Sequence, residues 1–347
     1  MKSARTKGGL AQLFLFAFSL PLLFGCWSKS NSEVVVYTAQ DQKFAEPLFK
    51  EFTKQTSIAV RPKFDAESTK TVGLVTELEQ EAARPRADVF WNNEILTTLR
   101  LEKRGLLESF SPAAAKDYPA EYRDPGGMWY GFAARARILL VNKQLVPEDK
   151  RPRSIEDLAN EKWRGRVALA KPLFGTTATH AACLFAAWGD EKAEQFFLRL
   201  KANQIQVLGG NKQVAVNVGN GKLAFGLTDT DDALEEIRNG QPVVIVYPDQ
   251  QVDGIGTLFI PNTLAIMKGC PHPEAARRLV EWLLSPETET KLAEGPSGQI
   301  PLNRQVKAKP PVETPATIRP MNVEFAAAAD KWDVAAKFLR DQFTGAE

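Results

Sequence analysis

Twice along this chain, short apolar runs that end on polar residues alternate with amphipathic runs. In the first passage "EVVVYTAQ", "IAVRPKF" and "ADVFWNNE" read as strands. The intervening "DQKFAEPLFKEFTKQTS", "STKTVGLVTELEQEA" and "EILTTLRLEKRGLL" read as helices. Phe44, Leu48, Phe49 and Phe52 are spaced for one buried helical face, Ser68 or Thr69 suits a helix cap, and Gly105 suits a helix stop. This order predicts parallel strands joined by right-handed crossovers. In such sheets ligands meet the carboxyl ends of strands, here Thr38 to Asp41 and Trp91 to Glu94. Farther on, "IQVLGG", a polar helix from Lys212 and "KLAFGLTDTDDALEEIRNG" repeat the order. Long strand-rich passages, "WYGFAARARILLVNKQ" and "GTLFIPNTLAIMKG", separate the two halves. An α/β fold of two lobes with a cleft between them follows: residues 33–133 plus 257–347 in lobe one and 134–256 in lobe two. The chain is expected to cross near Gly131 to Val141 and return near Gly254 to Ile266, and two crossings permit hinge bending. "HPEAARRLVEWLLSPETETKLAEG" reads as helical with Leu279, Trp282 and Leu283 facing inward, and "KAKPPVETPATIRP" as an extended connector to a closing helix.

The start of the chain reads as an address. Lys2, Arg5 and Lys7 precede an apolar run from Leu10 to Phe24, short for a membrane span and flanked like a signal peptide. Leu23, Gly25 and Cys26 stand at positions −3, −1 and +1 of a bacterial lipobox, with a bulky Phe24 between them. Residues 1–26 are therefore expected to be a lipoprotein signal peptide and 27–32 a tether, with Cys26 acylated and anchoring the mature chain to a membrane. An ordinary signal peptide cut elsewhere is the alternative. Formal net charge is +2 with signs interspersed, so nothing marks a nucleic-acid partner. Cys183, in an apolar helical pattern, and Cys270, in a turn, either pair in an oxidising compartment or remain thiols. His180 and His272 are isolated, and no His/Cys spacing suggests zinc.

The stretch "LAFGLTDTDDALEEI" carries the sharpest chemistry. Asp229, Asp231 and Asp232 fall within four positions, following Thr228 and flanking Thr230. Two carboxylates at ~5 Å in an effective dielectric of ~20 repel by roughly 3 kcal/mol. Water, a helix N-terminus or a cation has to offset that. In the first explanation Asp229 or Thr230 caps a helix whose first turn holds the other acids. In the second the strand end faces the cleft, where Asp41 and Glu94 join Asp229 and Asp231 around a metal ion or an ammonium group. In the third, Asp229 is a nucleophile and Asp231 a general acid, as in the DxDx(T/V) loop of haloacid-dehalogenase-type phosphatases, with Ala233 departing from that pattern. "GTTATHAAC" differs: its first turn has no acid, which leaves N–H groups for an anion. Were both segments to line one cleft, the preferred cargo would be negative at one end and positive at the other. Of Arg135 and Arg137 in "AARARILL", one is expected to face the cleft and one the outside, either as a salt-bridged hinge or with a guanidinium holding an anionic ligand group, Arg135 being the better placed for the ligand. Tyr37, Trp91, Trp129 and Tyr130 are either pocket floor or core, and Asn211 either caps the next helix or reaches the ligand.

The order of "VVVYTAQDQ", "ADVFWNNE", "GMWYGFAARARILLVN", "LANEKWRGRVALAKP" and "GTLFIPNTLAIMKGCPHPEAARRLVEWLLSPE" resembles the ferric-ion-binding group of bacterial ABC-transporter solute-binding proteins over nearly the whole mature chain. The resemblance implies a type II periplasmic-binding-protein fold with two hinge crossings, a closing cleft, and delivery of cargo to an ABC permease. It places Asp41 where iron-binding members often have a histidine, matches their glutamate with Glu94, and matches their anion-binding helix start with Gly175, Thr176 and Thr177. Their two adjacent tyrosines are replaced by "TDTDD". The expected function is a monomeric, membrane-anchored importer lipoprotein of the periplasm, or of the cell surface where no outer membrane exists. Its cargo would be a small anionic or zwitterionic solute, a phosphonate or organophosphate or a metal ion with a synergistic anion, bound without catalysis. A secreted phosphatase using Asp229 is the alternative.

Overall fold

A computed structural model describes residues 33–65 and 71–344. The expected signal peptide, Cys26, the tether, Ser68 and Thr69 lie outside the described residues. No helix among the described residues is long and apolar enough to cross a membrane.

The first half builds β1 (Glu33–Thr38), α1 (Gln42–Thr56), β2 (Ala59–Phe64), α2 (Val72–Gln80), β3 (Val89–Asn92) and α3 (Leu96–Lys103). β1 pairs in parallel with β2 and with β3. The inward stripe of α1 is Phe44, Leu48, Phe49 and Phe52, as its spacing predicts. Phe49 meets Trp91 edge-on at 5.7 Å, and so ties helix to sheet. The second half builds β6 (Val167–Ala170), α4 (Gly175–Trp188), α5 (Asp190–Ala202), β7 (Gln206–Leu208), α6 (Asn211–Gly219), β8 (Phe225–Asp229), α7 (Thr230–Arg238) and β9 (Val243–Val246). There β6 pairs in parallel with β7 and β8.

Between the halves lies β5 (Tyr130–Asn142), buried along its full length. Its first residues pair with β10 (Phe259–Met267), and from Arg137 onward it pairs with β8. The strand order is β2-β1-β3-β10-β5-β8-β6-β7, with the short β4 (Leu107–Glu108) on β10 and β9 on β5. The passage from one half-sheet to the other is thus the step from Ala136 to Arg137. The chain returns between Val246 and Phe259. This is the mixed two-lobed type II arrangement.

One irregularity matters for the site. Pro261 has no N–H to give the ladder, and the β5–β10 register shifts between Ile260 and Asn262. Ala133, opposite, adopts φ +45°. Its carbonyl accepts from the Asn262 amide, and its N–H donates to Glu289 at 2.6 Å. The distortion turns the Asn262 amide oxygen toward Arg135.

The remaining C-terminal segment forms α8 (Pro273–Leu283), α9 (Pro286–Glu294) and α10 (Phe325–Phe338), which ends in a π-helical turn. The long helical passage is divided at Ser285–Pro286, where Ser285 caps α9. Leu279 and Leu283 face inward as expected; Trp282 is only half-buried, against Phe52. Cys183 and Cys270 are free thiols. Burial pushes the Cys183 thiol far up, with the Glu94 charge adding to it.

Candidate functional site

The sites predicted at strand ends converge. α4, α6 and α7 all begin at the mouth of a cavity of about 50 Å³, lined among others by Asp41, Arg135, Thr176, Asn211, Asp229 and Asp231. That volume holds roughly four waters. α4 and α6 have no acid in their first turns and no side-chain cap. Their leading N–H groups and positive dipole ends are therefore available to an anion. Gly175 opens α4 at φ +52°, with nothing near where a Cβ would point. α7 differs: Asp231 and Asp232 occupy its first turn.

The acidic cluster is offset by arginine. Asp229 lies opposite Arg137 in the β5–β8 ladder, and Arg137 Nη1 donates to Asp229 Oδ1 at 2.7 Å. The same guanidinium reaches Asn211, Thr176 and Thr177 at 3.0–3.2 Å. Asp229 Oδ2 accepts from Thr176 Oγ1 at 2.6 Å and from Asn211 Nδ2 at 3.1 Å. Arg135 Nη1 pairs with Asp231 Oδ2 at 3.2 Å, and Nη2 donates to Gln40 and to Asn262, each at 3.1 Å. Lys171 and Lys212 add positive charge at the rim. Four carboxylates (Asp41, Asp229, Asp231 and Asp232) thus stand with Arg135, Arg137, Lys171 and Lys212, of which Lys212 also pairs with Glu235. His180, one turn into α4, contributes no charge: burial, then the Arg137 charge, hold its pKa well below 6.5.

The two arginines correct an expectation. Side chains two apart on a strand share a face, so both point to one side of β5 and both are buried. Neither capping reading of the acidic loop describes its side chains. Asp229 holds the N-cap position of α7 without a side-chain capping bond, and Thr230 Oγ1 accepts from Ala136 N–H instead. Asn211 does not cap α6, where Gly210 holds that position; its side chain turns to Arg137 and Asp229.

A family model for bacterial extracellular solute-binding proteins matches residues 87–328. The chain belongs to that family. Over 80% of its length this solute-binding protein is 26% identical to iron uptake protein A1 of Synechocystis, covering 79% of that protein. It is also 26% identical to a periplasmic protein of Salmonella paratyphi A named, as a proposal, for binding 2-aminoethylphosphonate, with 82% of each chain covered. In fold it is similar to the periplasmic binding protein AfuA of Actinobacillus pleuropneumoniae, solved with fructose-6-phosphate. There the TM-score is 0.80 at 21% identity, with 90% of this chain and 98% of that one covered. These comparisons give no support to a phosphatase, and both oxygens of Asp229 are committed to Arg137, Thr176 and Asn211.

Other expected residues of this solute-binding protein shape the cleft from behind. Thr38 Oγ1 accepts from Gln40 N–H, and Thr228 Oγ1 donates to the Asn211 carbonyl. Glu94 is fully buried: it accepts from the Leu96 and Thr97 N–H groups at the start of α3, from Asn92 and from the Thr97 hydroxyl. Its second oxygen takes Thr179 Oγ1 of α4 at 2.7 Å, which joins the two halves. Helix-end donors surround this carboxylate, which is why it sits in the core and not at the cavity with Asp41. The aromatic candidates are also elsewhere: Tyr37 donates to Glu81, Trp129 to Glu102 and Tyr130 to Phe110, while Trp91 is core. None of the five tyrosines lines the cavity. Sequence reasoning missed Lys171, Lys212 and the Gly209–Gly210 approach to α6. The signal existed: each follows a strand end of the second half, where the strand-end rule applies equally.

Proposed function

We propose that this solute-binding protein captures a small solute with a phosphate, phosphonate or similar anionic head and hands it to an ABC permease. One observation carries the reading: two acid-free helix starts, α4 and α6, meet Arg135, Lys171 and Lys212 at a single cavity. Thr176 and Thr177 hydroxyls add donors beside them. The anionic head belongs at these N-termini, and Asp41 and Asp232, outside the Arg135–Asp231 pair, suit a cationic tail, so a zwitterion such as an aminoalkylphosphonate fits both ends. A cavity this small would open to admit such cargo and close around it by bending at β5 and at the return segment before β10.

The names of the relatives support transport of small charged cargo without choosing among iron, phosphonate and sugar phosphate. Lack of a tyrosine at the cavity weighs against iron, because phenolates are strong Fe³⁺ ligands. The test is calorimetry with 2-aminoethylphosphonate, fructose-6-phosphate, inorganic phosphate and Fe³⁺-citrate, with small-angle scattering on the same samples. Cargo at a hundredfold excess over Kd stabilises the fold by about 2.7 kcal/mol, which raises Tm by several degrees. Binding of a phosphorus compound with a fall in radius of gyration is expected. Binding of Fe³⁺-citrate alone would refute the reading.

A further inference from the structure

Asp229, Asp231 and Asp232 bring carboxylate oxygens within 4.8 Å of one another, a grouping whose chemistry suits a hard cation. Arginine occupies that role here. Arg137 satisfies Asp229 from the ladder, and Arg135 reaches Asp231 from the neighbouring position on the same strand face. The Arg135 guanidinium is held at three points, by Asp231, Gln40 and Asn262, and the last is aimed by the Pro261 bulge. Burial works against its charge, but Asp231, Asp229, Asp41 and Asp232 together outweigh that and raise its pKa, so it stays cationic at every physiological pH. The residue is 3% exposed and lines the cavity, and its Nε has no hydrogen-bond partner.

We propose that Arg135 determines the class of cargo: it is a tethered cation that keeps metal ions off the acidic loop and leaves the cleft to metal-free anions. Its second half rests on the anionic-cargo reading above; the first half does not. A metal ion approaching Asp231 would have to displace a guanidinium that cannot diffuse away, because its backbone is locked in β5 opposite Ile260. A metal left beside that fixed charge is repelled. An anion entering from the α4 and α6 side meets the reverse field, since the guanidinium attracts it.

The test is calorimetry on the full chain with Mn²⁺ and with inorganic phosphate, comparing wild type with Arg135→Gln. Wild type is expected to bind phosphate and to give no Mn²⁺ heat. R135Q is expected to bind Mn²⁺ at least about tenfold more tightly than wild type and phosphate about tenfold more weakly, each equal to ~1.4 kcal/mol. Phosphate binding by wild type with no gain of Mn²⁺ in R135Q overturns this inference and leaves the anionic-cargo reading standing. A gain of Mn²⁺ in R135Q with no phosphorus compound bound by wild type supports the masking and overturns that reading. Should R135Q lack a cooperative melt by circular dichroism, Asp231→Asn reads the same pair from its other side. Phosphate then tightens several-fold with Mn²⁺ still unbound; weaker phosphate or new Mn²⁺ binding in D231N overturns the proposal.

Discussion

At the scale of residues, the acidic loop exists in this form because its counter-charges are internal. Removing one partner of a buried pair leaves an uncompensated charge, at a cost of about 3–5 kcal/mol. Arg137→Met is therefore expected to destabilise the fold by that much in urea denaturation, since it strips Asp229 of its strongest donor. Adding Asp229→Asn should recover part of the loss, because the orphaned charge goes with it. A double-mutant cycle that adds without coupling would remove the pair from the account. The sequence named Asp229, Asp231, Arg135 and Arg137 and weighed a salt-bridged arrangement of the arginines. It could not pair them, because Arg137 and Asp229 are 92 positions apart and adjacent only through the β5–β8 ladder.

At the scale of elements, α9 supports the distorted part of β5. The Glu289 carboxylate accepts from Ala133, Leu302 and Asn303 N–H groups at 2.6–3.1 Å. Burial raises its pKa to about 7, although those three donors pull it down. An acid whose pKa is higher folded than unfolded binds more protons when folded. Its stabilising contribution is complete below the unfolded value of 4.5 and is lost as pH rises through about 7. That loss amounts to roughly 3 kcal/mol. Chemical denaturation from pH 4.5 to 8 should show wild type weakening across this window. Glu289→Gln should be less stable at pH 4.5, because its amide NH₂ opposes backbone N–H groups, and should show a flatter profile. Equal slopes in the two proteins would mean that Glu289 titrates at its ordinary value. Helices and parallel strands were legible here from the spacing of apolar residues, with Gly105 in the left-handed region just past α3 as its stop. The bulge at Pro261 and the commitment of Glu94 to α3 and Thr179 were not, since both depend on which elements touch.

At the scale of the whole molecule, we propose that residues 33–133 with 257–347 and residues 134–256 move as two lobes. α10 complicates that division. Its apolar face (Ala328, Ala329, Trp332 and Ala335) is buried in one core with α4, where Phe338 lies 6.0 Å from Phe185, and it reaches α3 through the exposed pairs Arg100–Asp333 and Lys103–Asp330. Exposed pairs of this kind contribute about 0–1 kcal/mol each, weak enough to re-form as a hinge bends. Lys43 on α1 reaches Glu235 on α7 in the same way at the cleft rim. We also propose that Cys26 carries the lipid that tethers the mature protein to a membrane of an extracytoplasmic compartment. In fractionated cells Cys26→Ser should move the protein from the membrane to the soluble fraction; unchanged partition would end the anchor reading.

The order of strands and helices, the parallel pairing and the facing of α1 come from periodicity, which acts over a few residues and so is written locally. The strand ends likewise single out Asp41, Asn211 and the acidic loop from sequence alone. What tertiary structure alone decided is which charges meet. Whether three aspartates hold a metal or two arginines depends on a register between strands far apart in the chain. Electrostatic energy in a buried site follows distances of a few ångströms, which no local pattern records.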